Sequence, residues 1–106
     1  DCDWEIVVHS GRTIRLIFDK FDLPKLGRDT CVNSYIMFRN GGHKDSPALG
    51  ETKYCGRETP ILPESSSNRV YISYHAIAGA PGVILNYEEV SFACRYDIQL
   101  CDLFRN

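Results

Sequence analysis

An all-β fold, an antiparallel β-sandwich stabilised by disulfide, is what this sequence predicts, and three observations carry that reading. Apolar residues recur at period two in several short stretches, and helical periodicity is missing throughout. Turns rich in Gly, Pro and Ser separate those stretches, the spacing of a small sandwich. Five cysteines fall within 106 residues, and Cys31 and Cys55 enclose a disulfide-sized loop around one strand.

The elements follow in order. Trp4, Ile6 and Val8 alternate with Glu5, Val7 and His9, the pattern of a half-buried strand. Ser10-Gly11 signals a tight turn, after which Ile14, Leu16 and Phe18 resume the alternation. Phe21 and Leu23 are expected to fold back as apolar plugs at the sandwich edge, with Pro24 ending the strand. Tyr35-Ile36-Met37-Phe38 carries bulky residues on both sides and is expected to be central. Asn40-Gly41-Gly42 terminates it. Val70, Ile72 and Tyr74 form a further strand entered from the turn Ser65-Ser66-Ser67-Asn68, and Val83, Leu85 and Tyr87 form one after the turn at Gly79-Ala80-Pro81-Gly82. Beyond Glu88 the pattern weakens. Residues 1–90 are expected to form one domain, and 91–106 a C-terminal extension or last strand carrying Cys94 and Cys101.

Composition narrows the function. A net charge of -2 argues against nucleic-acid binding, which requires a basic face. No apolar run reaches membrane-spanning length. The cysteine density points to an oxidising, extracellular compartment, and the odd count leaves at least one bonded outside this segment or free. Zinc is disfavoured, since no Cys-x-x-Cys pair exists and no histidine stands near Cys94 and Cys101. No Asn-x-Ser/Thr acceptor for N-glycosylation occurs.

Five pieces in order resemble the CUB family of extracellular modules, found in developmental and complement proteases, endocytic receptors and channel auxiliary subunits. Cys2-Asp3-Trp4-Glu5-Ile6 is similar to its Cys-x-Trp-x-Ile strand. Ile14 to Phe18 with Phe21-Asp22-Leu23 resembles its I-x-L-x-F-x-x-F-D-L segment. Leu49-Gly50 with Tyr54-Cys55-Gly56, then Ser65 to Asn68, and finally Gly82 to Tyr87 resemble its later motifs, with Val83 replacing an aromatic. The resemblance implies a jelly-roll sandwich and a Cys31–Cys55 bridge. Closing a loop of about 25 residues contributes roughly 3–4 kcal/mol on the loop-entropy argument. It also implies a module that begins some two dozen residues before Cys2, so that the partner of Cys2 lies outside this chain. A bond from Cys2 to Cys94 or Cys101 is the alternative. Cys94 and Cys101 are expected to pair with each other or with a neighbouring module.

Many members of the family bind calcium through a Glu after Phe-Asp-Leu and two later Asp residues. The matching positions here hold Pro24, Ser34 and Ile77, none of them charged. Asp19, Asp22 and Asp29 read as solvated turn residues. The resemblance therefore implies no bound calcium, and no other cofactor is expected.

Catalysis is not expected either. His9 and His75 lie on strand faces opposite core residues, His43 lies in a polar loop, and Glu88-Glu89 are adjacent strand residues whose side chains face opposite ways. Trp4, Tyr74 and Tyr87 are expected in the core, while Tyr71 is left open between core and surface. Binding is expected in the loops, at Arg28, Asp29, His43, Lys44, Asp45 and Arg57. The function expected is an extracellular, non-catalytic module that binds protein partners and neighbouring domains of a larger receptor, protease or matrix protein. A second possibility is a structural unit that links copies of itself into an oligomer through strand edges or disulfides. A third, weaker one is carbohydrate or lipid binding.

Overall fold

The structure, a computed structural model, describes residues 1–24, 31–77 and 82–91. Its strands are β1 (Cys2–Val7), β2 (Arg12–Asp22), β3 (Tyr35–Arg39), β4 (Arg69–His75) and β5 (Gly82–Ser91). One sheet has the order β1-β4-β3 and the other pairs β2 with β5, every pairing antiparallel. The all-β sandwich read from the alternation is the fold of the described residues.

Strand parity decides which residues meet between the sheets. Ile6 of β1, Val70 and Ile72 of β4, and Ile36 and Phe38 of β3 face Ile14, Phe21 and Leu23, and all are buried. Each such side chain contributes about 1.5–3 kcal/mol by leaving water. Phe18 stacks edge-on against both Phe21 and Phe38, at 5.7 Å in each case, and so ties the two sheets together.

Two expectations require correction. Phe21 and Leu23 are not plugs folded back at an edge. β2 runs on through Phe21, and the register with β5 shifts between Phe18 and Lys20. That bulge inserts one residue, Asp19, and reverses the parity, so Phe18 and Phe21 face the same core although three positions apart. Nor is the Tyr35–Phe38 strand central. Among the described residues β4 occupies the middle of its sheet, and the outer edge of β3 meets only isolated bridges, from Tyr54 to Ile36 and from Ala48 to Arg39.

The turns also differ in purpose. At Ser10-Gly11 the Arg12 amide donates to the His9 carbonyl at 3.1 Å, with Gly11 at a φ of 84° that disfavours any side chain. β1 and β2 lie in different sheets, so this turn carries the chain across the sandwich instead of closing a hairpin. The serine turn works as a clasp. The buried Ser65 hydroxyl accepts from the Ile14 amide at 2.8 Å and donates to the Ser67 carbonyl at 2.7 Å. Asn68 donates to the Val8 carbonyl, and Asn40 exchanges two hydrogen bonds with Ser66. Cys31 and Cys55 are joined, their Cα atoms 5.6 Å apart. Cys2 is an exposed free thiol among the described residues, while Cys94 and Cys101 lie outside them.

Candidate binding surfaces

The sandwich has two ends, and the pairings show which loops belong to each. At the disulfide end lie Cys2, Tyr35, His75, Leu23 and Gly82. At the serine-turn end lie Val7, Arg12, Arg39 and Arg69. The loop residues singled out from sequence do not converge. His43, Lys44 and Asp45 are exposed at the serine-turn end. Arg57 stands at the opposite end, its Nε 3.5 Å from the Asp22 carboxylate. Arg28 and Asp29 lie outside the described residues.

The His43 loop is held by its own contacts. The Ser46 amide donates to the His43 carbonyl at 3.0 Å, the His43 amide donates to the Ser46 hydroxyl at 3.2 Å, and the Asp45 amide donates to His43 Nδ1 at 3.1 Å. Such a turn uses its backbone polar atoms locally and leaves the side chains of His43, Lys44 and Asp45 all exposed. Nearby, Glu89 accepts at 2.7 Å from both the His9 amide and the His9 ring, with Arg12 3.3 Å from its other oxygen. The His9 amide, followed by the His9 ring, holds the Glu89 carboxyl below its ordinary range.

The linkage has a definite sign. A carboxyl whose pKa is lowered in the folded state contributes stability above its ordinary pKa, and loses it as the pH falls through the lowered value. Glu89→Gln is therefore expected to flatten the acid side of the stability profile. Urea midpoints of wild type and variant should differ at about pH 7 and converge at about pH 3. A constant difference at both values would count against this role.

The disulfide end carries a different chemistry. Tyr35 and His75 are cross-strand neighbours with ring centroids 5.2 Å apart. Lys53 Nζ sits 4.2 Å from the centroid of the Tyr35 ring, and the Asp1 carboxylate meets His75 Nδ1. A row of cation, aromatic, imidazole and carboxylate thus crosses the outer face of the three-stranded sheet. On the same face Tyr71, left open by the sequence, donates to Asp3 at 2.9 Å, and this contact holds its phenol above the ordinary range. The row escaped the sequence reading because its members come from four separate places in the chain. The parity of β3 and β4 was the available signal, since Tyr35 and His75 fall opposite the buried Ile36 and Ile72.

The three positions aligned with the family's calcium ligands lie at this end too. Ser34 is fully buried, and its hydroxyl accepts from the Ile77 amide at 3.1 Å. A calcium ion seeks several oxygens with carboxylate charge, whereas this pair offers one hydroxyl oxygen already bonded to an N–H. Asp22 faces Arg57. Among the described residues no three His, Cys, Asp or Glu side chains gather as a metal would need. Among the described residues, this corner offers an ion no carboxylate cluster.

Trp4 and Tyr87 are not core residues, contrary to expectation. They are 44% and 52% exposed, while Tyr74 is partly buried against the core. Trp4 and Tyr87 sit on inward-facing parity but at the open side of the sandwich, where β1 and β5 flank a cleft of roughly 1000 Å³ lined also by Ile6, Val83 and Leu85. Core parity buries a side chain only where a further strand closes the layer.

Comparison with known proteins agrees with this architecture. The CUB domain family model matches residues 1–81. The Drosophila melanogaster cubilin homolog is 38% identical over 90 residues, covering 82% of this chain and 2% of that protein. The Strongylocentrotus purpuratus bone morphogenetic protein 1 homolog is 36% identical over 91 residues, covering 84% and 14% respectively. Among solved structures, the CUB1-EGF-CUB2 domain of human MASP-1/3 superimposes with a TM-score of 0.66 at 22% identity, over 87% of this chain and 36% of that one. The chain thus spans only a small share of the curated relatives it matches.

Proposed function

The chain belongs to the CUB domain family, and from that premise we propose that it is a non-catalytic, calcium-independent protein-binding module of a larger extracellular receptor, protease or matrix protein. The observation that carries this reading is the Lys53–Tyr35–His75–Asp1 row beside the disulfide. Aromatic side chains at strand ends, with a lysine held against them near a covalent bridge, lose little entropy on docking and supply the chemistry of interface anchors. The Ser34–Ile77 hydrogen bond supports independence from calcium, because it closes by neutral contacts the corner where the family resemblance would seat the ion. The similarity to pieces of large multidomain relatives supports the modular role and the extracellular setting.

Two measurements test it. Melting curves with millimolar calcium and with chelator should coincide; a clear calcium-dependent rise in Tm would reject the calcium-independent reading. Immobilised chain should bind neighbouring ectodomain segments of its parent polypeptide or their protein ligands. Tyr35→Ala with Lys53→Glu should weaken that binding at least about tenfold, equivalent to about 1.4 kcal/mol, while Lys44→Glu leaves it unchanged. Equal loss in both variants would move the surface away from the disulfide end.

A second reading, self-assembly, draws on the exposed thiol of Cys2 at the free edge of β1. Light scattering combined with a non-reducing gel distinguishes it, since a reducible oligomer is its signature.

A further inference from the structure

The outer face of the three-stranded sheet divides its charges unevenly between its two edges. Strand parity turns Asp3 and Glu5 of β1 and Tyr35, Met37 and Arg39 of β3 onto that face, opposite the buried Ile6, Ile36 and Phe38. On the β1 side the carboxylates are engaged. Asp1 meets His75, Asp3 accepts from the Tyr71 hydroxyl at 2.9 Å, and Glu5 lies 3.0 Å from Arg69. On the β3 side the cations are not. Lys53 rests on the Tyr35 ring, the Nε of Arg39 is buried with no acceptor, and neither group faces a carboxylate among the described residues.

Those two cations define a ligand by charge and spacing. A guanidinium partly withdrawn from water without a counter-ion is costly, and a partner's carboxylate at its outer nitrogens would offset that cost. Lys53 covers Tyr35, and Tyr35 and Arg39 are four residues apart on one strand, about 13 Å at the usual rise. An extended peptide repeats this interval between the first and fifth of five residues, and points the third to the same side. Midway on β3 stands Met37, half-buried, whose flexible thioether accommodates aliphatic side chains of differing shape. Toward β1, the Asp3 carboxylate has only a neutral phenol as partner and repels the same ligand, which fixes the edge on which it lies.

We propose, on the reading that this face binds protein, that its occupant is an acidic, extended segment of a partner protein. The segment lies along β3 with one carboxylate on Lys53, a second on Arg39 and an apolar side chain between them on Met37. The stacking of Lys53 on Tyr35 holds the ammonium in place beforehand, which reduces what docking costs in side-chain freedom.

The probe is a capped peptide of sequence Gly-Glu-Ser-Leu-Ser-Glu-Gly, titrated into the isotope-labelled chain and followed by amide NMR. Its binding should shift the amides of Tyr35, Met37 and Arg39 and weaken steadily as salt is raised. The same peptide with Gln for both Glu should bind at least about tenfold more weakly. Arg39→Gln and Lys53→Gln should each weaken the Glu peptide about fivefold, whereas Lys20→Gln, on the other sheet, should not. Should Arg39→Gln fail to fold, the two peptides compared on the unmodified chain decide. No amide shift at millimolar peptide, equal binding of both peptides, or equal loss with Lys20→Gln would each overturn the proposal. So would a short heparin fragment that binds these residues more tightly, which would assign the face to a sulfated glycan. With ectodomain segments of the parent polypeptide as ligand, loss on Lys53→Gln but not on Arg39→Gln sinks the acidic segment and leaves the surface standing. No loss in either sinks the surface itself.

Discussion

Replacing both bridge cysteines, as Cys31→Ala with Cys55→Ala, is expected to lower the unfolding free energy by roughly 3–4 kcal/mol and the melting temperature by about 15–25 °C. The loop closed by the bridge has a sequence separation of 24 and contains β3 with the segment that covers its outer edge. In the unfolded chain the bridge denies that loop most of its conformations. In the folded chain it sits beside two reciprocal hydrogen bonds between Leu23 and Gly56, at 3.0 and 2.9 Å, which fasten the same segment to the end of β2. Without the bridge those bonds and the Tyr54–Ile36 pair must order the segment unaided. The replacement is preferable to reductant because reduction would also act on Cys2, Cys94 and Cys101. Denaturant midpoints measure the effect, and a loss below about 1 kcal/mol would show that the loop is already restricted before folding.

The architecture was legible because a sandwich writes itself in alternation. Trp4 to Val7, Ile14 to Phe18, Val70 to Tyr74 and Val83 to Tyr87 each lie in a strand of the structure, while Val8 falls just past the end of β1. What alternation cannot express is a change of parity within one strand. The bulge at Asp19 converts the spacing from Phe18 to Phe21 into a same-face pair, and a reader assuming strict period two must break the strand there. Sheet position is similarly hidden. β3 carries large side chains on both faces, yet its outer edge meets only single bridges from an irregular segment, and such coverage leaves no periodic trace.

The surfaces were legible in part. Polarity located the exposed loops, yet it could not say that His43 and Arg57 occupy opposite ends of the sandwich, since that follows from register. The row at the disulfide end illustrates the same limit. Asp1, Tyr35, Lys53 and His75 come together only when β1 pairs β4, β4 pairs β3 and Tyr54 bridges Ile36. Residue type gives Ser34 no charge, and so no carboxylate to offer an ion. It gives no hint that the Ser34 hydroxyl would accept from Ile77, another of the three uncharged positions of the same corner. Trp4 and Tyr87 show the converse: correct parity, but no strand among the described residues to complete their burial.

Phe38→Ala is the substitution expected to damage the interior most, by about 3–5 kcal/mol. Its ring is fully buried and contacts Phe18 at 5.7 Å and Tyr54 at 6.0 Å, so it joins β3 to the opposite sheet and to the covering segment at once. The neighbours cannot collapse into the space left behind. Phe18 is fixed by Phe21 across the bulge, and Tyr54 is held by its backbone pair with Ile36 and by its hydroxyl, which accepts from the Glu51 amide at 2.7 Å. A cavity that cannot relax loses both the transfer energy and the packing contacts. Tyr71→Phe is the matching control, since it removes only an outer-face hydrogen bond to Asp3 and should leave the urea midpoint where it was. Two variants with similar midpoints would mean that the sheets cohere without this aromatic contact, through the buried aliphatic residues Ile6, Ile14, Leu23, Ile36, Val70 and Ile72.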